Sequence, residues 1–480
     1  MAESFYWHDY ETWGTSPAMD RPCQFAGLRT DADLNPIGEP LVLFCRPADD
    51  LLPHPDACLI TGITPQRAAR EGLPESDFAA AIQRELSAPQ TCGVGYNSMR
   101  FDDEVTRFLF YRNLIDAYGH ACRNGNSRWD LIDVLRLAHA LRPEGIQWPE
   151  REPGVASFRL EELTVANGIA HVGAHDALSD VRATVDLARR LKQTQPRLFD
   201  YALTLRDKHR VRELIESGKP LLHASQRFPA ALGCIAPVLK VAPHPSNPNA
   251  VICFDLRQDP RQLLDLSSDE IRTRLFTPVA DLPEGVERVP LKAIRVNAAP
   301  VLAPMSTLSD AAAARWSIDP VSVAEHARQI TDAASQIVAK LREVYRQDEG
   351  RPQPTDPDLM LYAGGFFTDA DRAQMARLRA LTPRELAGAQ PRFDDPRLST
   401  LLFRMRARSW PETLSEAERE DWDGWRLERL TDPDAGGSIT LDVFEQRVAE
   451  LRAERADDAA RLALLDELAR WSEQIMDAAA

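Results

Sequence analysis

The most constraining stretch of the chain is Phe5-Tyr6-Trp7-His8-Asp9-Tyr10-Glu11-Thr12. It reads as a strand, and a strand turns alternate side chains to one face, so Asp9 and Glu11 point the same way. Two carboxylates held that close repel each other unless solvent, a proton or a cation relieves them. Hard cations such as Mg²⁺ and Mn²⁺ favour carboxylate oxygen. The pair therefore reads either as the floor of a metal site or as the solvated face of an edge strand. Partners elsewhere in the chain decide between the two.

At 480 residues the chain exceeds what one hydrophobic core organises, so about two to three domains are expected. Its net charge of −16 argues against nonspecific coating of duplex DNA, which needs many Lys and Arg contacts to phosphate. A local basic groove stays open. The 7 cysteines are scattered and never in C-x-x-C spacing, which fits a reducing compartment and supplies no structural zinc site. No stretch reaches the roughly 18 apolar residues of a membrane span, and Met1-Ala2-Glu3-Ser4 lacks the basic and apolar regions of a signal peptide. A cytoplasmic protein without membrane contact is expected.

Gln24–Arg29 and Gly38–Cys45 read as neighbouring strands, and Thr64-Pro65 reads as the N-cap and first residue of a helix. Cys92–Gly95 reads as a strand followed by a loop with Asn97, after which Asp102-Asp103-Glu104 open a helix carrying Val105, Phe108 and Leu109. Acidic residues in a first helical turn meet the positive end of the helix dipole, which accounts for Asp103 and Glu104. It does not account for the whole N-x-x-x-F-D string. Further on, His175 precedes a strongly helical run that holds Asp180 about one turn inside it.

Taken together, D-x-E on the first strand, N-x-x-x-F-D before a helix and H-x-x-x-x-D at a later one resemble the DEDDh family of 3′→5′ exonucleases. The match is closer still to the bacterial exonuclease I group, which acts on single-stranded DNA. His8-Asp9-Tyr10-Glu11-Thr12, Asp20-Arg21-Pro22, Leu59–Gln66, Arg100–Arg107, Phe110–Asn113, Asn126–Asp130, Leu141–Gly145, Ser157–Leu160 and Gln195–Tyr201 carry it, and Gly365–Arg372 extends it toward the end. Tyr10, where the broader family has Thr, narrows the match to that group.

The resemblance implies an α/β fold with an RNase H-like exonuclease domain at 1–196. A small SH3-like β-barrel at 197–350 and a C-terminal α-helical domain at 351–480, closing a DNA channel, would follow. It implies Mg²⁺-dependent, processive 3′→5′ degradation of single-stranded DNA to 5′-mononucleotides, in DNA repair and recombination. Asp9, Glu11, Asp102 and Asp180 would hold two Mg²⁺ ions, with Mn²⁺ as a substitute and Asp9 bridging, and His175 would take the proton from the attacking water. Single-strand DNA-binding protein is the implied partner of a monomeric enzyme, with Arg142 and Tyr201 as possible pocket members. An exoribonuclease of the same family and an inactive nuclease-like scaffold are the alternatives.

Several residues are candidates for holding the strand. Glu11, Arg107 and Arg159 belong to the nuclease motifs. Lys208 and Arg210 ride a helix whose apolar side is Leu205, Val211, Leu214 and Ile215, and a charge run of that kind is either a solvated face or a phosphate contact. Tyr362 and Phe366 precede a helix starting near Thr368 and are either core or stacking platforms for bases. Arg404, Arg406 and Arg408 alternate before Trp410. Gly350–Pro357 is the clearest linker, and Thr382–Glu385 and Ser415–Glu418 read as capping boxes in a helical region.

Overall fold

The computed structural model describes residues 3–171, 173, 176–346 and 353–477. Strand β1 (Ser4–Thr12) pairs antiparallel with β2 (Pro22–Thr30), which sets Asp9 opposite Ala26 and Glu11 opposite Gln24. β3 (Leu41–Phe44) follows on β2, and β4 (Thr91–Gly95) runs parallel to β1 on its other side. With β5 (Ser127–Asp130) the sheet order is β3-β2-β1-β4-β5, so β1 is central. Its neighbours Phe5, Tyr6, Trp7, His8 and Tyr10 are all buried, which excludes a solvated edge strand.

The alternation of β1 divides its labour. Tyr6 and Tyr10 turn to one face, where they pack with Phe25, Phe78, Ile82, Val105 and Leu109 beneath the helices Glu75–Leu86 and Asp102–Arg112. Asp9 and Glu11, being odd-numbered, turn to the other. Thr64 caps the helix Pro65–Glu71 through Arg67 N, as its sequence indicates.

Met1–Ser127, His171–Arg182 and Gln353–Ala480 form one compact unit. Trp13, Cys23, Leu51 and Cys58 share a core with Leu430, Phe444, Leu465, Leu468 and Ile475, and Phe108, Tyr111 and Leu114 share another with Leu361, Met375, Leu398 and Leu401. The two capping boxes form as read, on Thr382 with Glu385 and on Ser415 with Glu418. The last stretch, rich in Ala, Leu, Glu and Arg, forms two helices, Leu441–Glu454 and Ala459–Asp477.

Arg404, Arg406 and Arg408 lie on the helix Arg397–Ser409 and are buried. Arg408 donates to Asp50 at 2.9 Å and also pairs with Asp358. Arg404 reaches Asp358 at 3.2 Å, and Arg406 meets Glu418 at 2.6 Å. Asp50 is held from its other side by Arg21 at 2.7 Å. These arginines are committed to acids and are not a basic surface.

Arg128–Ala170 and Ala183–Pro352 form the second unit. Its five-stranded antiparallel sheet runs Leu291–Arg295, Ala250–Asp255, Ile235–Pro243, Leu221–Ala224, Val301–Pro304. The segment 244–249 is the hairpin loop that its prolines and asparagines suggest. On the helix Lys208–Glu216, Val211 and Ile215 enter the core with Leu205 and Leu214, while Lys208 and Arg210 stay exposed. All cysteines are free, and among the described residues no helix is long and apolar enough to cross a membrane.

The shared cores set what a truncation is expected to do. A chain ending near Gly350 leaves Trp13, Leu51, Phe108 and Tyr111 without their covering helices, and each such large loss of packing costs roughly 2–5 kcal/mol. Loss of near-ultraviolet circular dichroism and of cooperative melting is expected. A shortened chain that melts cooperatively at the full-length temperature would show that the helices are dispensable to the sheet.

Candidate active site and its acidic centre

Asp9 and Glu11 on β1 meet Asp180 from the first turn of the helix Ala177–Thr194. Each offers a carboxylate oxygen, and these oxygens lie within 4.8 Å of one another. The surroundings withhold what would normally offset so much charge. Burial, with Asp102, Glu11, Asp180 and Asp176 nearby, holds the Asp9 carboxyl well above the usual carboxylate range. Burial, with Asp180 and Asp176, pushes Glu11 up to about 8. Three hard oxygen donors with an uncompensated negative charge suit a Mg²⁺- or Mn²⁺-like cation and suit zinc's thiolate-rich structural sites poorly.

Asp102 adjoins the cluster without completing it. Its Oδ1 accepts the Tyr10 amide at 3.1 Å, and the Tyr10 hydroxyl accepts from Thr106 Oγ1 at 3.0 Å, so one strand residue ties the strand to the helix Asp102–Arg112. The turn that delivers the helix is tight. Asn97 has φ 63°, and a Cβ at Gly95 would lie 2.5 Å from Ser98 Cβ and 3.0 Å from the His8 carbonyl oxygen. Only glycine fits there.

The start of the helix Ala177–Thr194 is tied to β2. Gln24, opposite Glu11, accepts from Ala177 N at 3.2 Å and donates to Asp176 Oδ2 at 3.3 Å, and Asp176 Oδ1 accepts from Ser179 N at 3.1 Å. His171 Nε2 stands 2.5 Å from Asp180 Oδ1. His175, the expected general base, lies outside the described residues. Sequence reasoning passed over Gln24, Asp176 and His171. Gln24 meets Glu11 through the register of β1 against β2, and nothing local marks His171.

The other expected contacts divide. Arg107 donates to Glu104 at 2.6 Å and to the Tyr362 hydroxyl at 3.1 Å, and Tyr362 donates to Glu104 at 2.6 Å, so Arg107 is already neutralised. Tyr362 is 57% exposed and Phe366 82%, the latter edge-on to Tyr118 with ring centres 5.5 Å apart. Arg397 donates to the carbonyls of Met360, Gly364 and Gly365, which fixes the loop between them. In the second unit Arg159 is exposed with Glu162 at 3.6 Å, and Arg210 has Glu213 at 3.2 Å. Tyr201 donates to the Leu302 carbonyl at 2.9 Å and Arg142 to that of Thr307 at 3.1 Å.

Three family profiles match the chain. One described as an exonuclease covers residues 6–188, an exonuclease I SH3-like domain covers 206–347, and an exonuclease I C-terminal domain covers 355–475. The chain is 45% identical over 475 residues to the exodeoxyribonuclease I of Escherichia coli (strain K12), spanning 98% of each. It superposes on a moderately thermophilic exonuclease I from Methylocaldum szegediense with TM-score 0.94 and 49% identity, covering 99% of this chain and 100% of that one. A zinc-ion-bound E. coli exonuclease I in complex with single-stranded DNA matches with TM-score 0.92 at 45% identity, covering 99% of this chain and 100% of that one.

The centre makes stability depend on pH in a direction opposite to that of a salt-bridged acid. Folding raises the Glu11 carboxyl from 4.5 to about 8, so between those values the folded chain binds more protons than the unfolded one and loses stability as pH rises. With a chelator present, wild type should lose melting temperature across that window more steeply than Glu11→Gln, and added Mg²⁺ should restore most at the alkaline end. Equal slopes for the two proteins would mean that Glu11 does not carry the strain.

Proposed function

The chain belongs to the exonuclease I family and is an exodeoxyribonuclease, and from that premise we propose that it degrades single-stranded DNA processively from the 3′ end, releasing 5′-mononucleotides. The observation that carries the reading is the gathering of Asp9, Glu11 and Asp180 within 4.8 Å on a buried strand and a helix start, where burial and neighbouring acids raise the Asp9 and Glu11 carboxyls. Mg²⁺ is the proposed cofactor, two ions per site, with Mn²⁺ as a substitute. Bound there, the ions supply the positive charge that a phosphodiester needs to accept a nucleophile.

The chain's own residues do the rest. Asp9, Glu11 and Asp180 present the donor oxygens, and Asp102, fixed by the Tyr10 amide, adds the fourth carboxylate from the neighbouring helix start. His175 is proposed to hold the proton taken from the attacking water, a role that an ordinary imidazole fits near neutral pH. Phe366, presented to solvent on a loop fixed by Arg397, is proposed to stack on a base of the substrate, with Tyr362 beside it. Arg159, Lys208 and Arg210 are proposed to meet phosphates, while Arg107, committed to Glu104, shapes the helix surface. The C-terminal helices are proposed to help enclose the strand. The resemblance also supports a monomer acting in cytoplasmic DNA repair and recombination, with single-strand DNA-binding protein as partner. No observation favours an exoribonuclease or an inactive scaffold.

Digestion of end-labelled oligo-dT and oligo-U in parallel with Mg²⁺ tests the reading. Mononucleotides should leave the 3′ end of the DNA alone, and Asp180→Asn should slow turnover by at least about 100-fold with the melting profile kept. Equal digestion of RNA, or Asp180→Asn at the wild-type rate, would overturn the substrate or the site respectively.

A further inference from the structure

His171 precedes the helix Ala177–Thr194, yet its ring meets the first turn of that helix, with Nε2 2.5 Å from Asp180 Oδ1. The imidazole is well shielded, its side chain 4% exposed against 20% for Asp180. The backbone at the helix start is fixed separately, by Gln24 and Asp176. His171 acts on the carboxylate itself.

That carboxylate needs holding. With an oxygen within 4.8 Å of oxygens on Asp9 and Glu11, Asp180 is pushed away from them by like charge whenever the centre lacks a cation. A short hydrogen bond from an N–H to a carboxylate is among the stronger neutral-to-charged contacts a side chain can make, and it fixes direction as well as distance. We propose that His171 is a positioning residue for the metal centre, donating from Nε2 so that Asp180 stays in the pose that a divalent cation shared with Asp9 and Glu11 requires. The inference rests on the reading of those acids as metal ligands.

Groups that orient a ligand in this way change metal affinity by roughly 10–100-fold when removed. The test separates the donor from the ring. His171→Phe keeps a packed ring without an N–H, and His171→Gln keeps an N–H donor at similar reach without the ring. Mn²⁺ titrated into full-length protein without DNA, with free ion read by electron paramagnetic resonance, should bind roughly 10–100-fold more weakly to His171→Phe than to wild type. His171→Gln should recover most of that loss. Both variants binding as wild type, or His171→Gln weak while His171→Phe is normal, would make His171 a packing residue and overturn the proposal. Wild type taking up no Mn²⁺ would overturn the acidic centre itself, a failure distinct from the first two.

Discussion

The structure depends on one buried carboxylate, Asp50, whose two oxygens are taken up by Arg21 near the start of the chain and Arg408 near its end. Moving such charges out of water costs several kcal/mol per ion, and only close, well-directed partners offset it. Arg408 passes the constraint on to Asp358, and Arg404 and Arg429 pass it to Asp356. Glu75 joins through Arg21 and Arg112 at 3.6 and 3.5 Å. A one-residue slip in any of these segments would leave an uncompensated charge in the interior. The network therefore sets register between distant parts of the first unit more sharply than apolar packing alone could.

The same unit treats its acids in two opposite ways. Arg21 and Arg408 hold the Asp50 carboxyl well below the usual carboxylate range despite its burial. Asp9 and Glu11 are raised, because the charges around them are other acids. Burial is common to both cases and does not distinguish them. What distinguishes them is the sign of the neighbours, and this separates an internal strut from a site that still demands positive charge.

Much of the first unit was legible because its signals are local. The strand periodicity that put Asp9 and Glu11 on one face, the Thr64 cap and the boxes at Thr382 and Ser415 each fall within a few residues of chain. The fate of Arg404, Arg406 and Arg408 was not legible, since a charged helix reads alike whether its partners are water or acids elsewhere in the chain, from Glu418 close by to Asp50 near the start. The merging of the C-terminal helices with the sheet was hidden for the same reason. His171 was overlooked because the sequence offers two histidines four residues apart and only His175 has the spacing that the family motif marks.

The core that joins Trp13 to Ile475 also sets the order in which the molecule can be made. At about 5–20 residues per second, a ribosome adds the closing helix roughly 20–90 seconds after Trp13 has emerged. Throughout that interval the core around Trp13, Leu51 and Leu52 lacks its C-terminal members, so the nascent chain presents part of it to chaperones or to other chains. A product stalled or cleaved before that helix lacks part of the core around Trp13 and exposes the apolar surface it would cover.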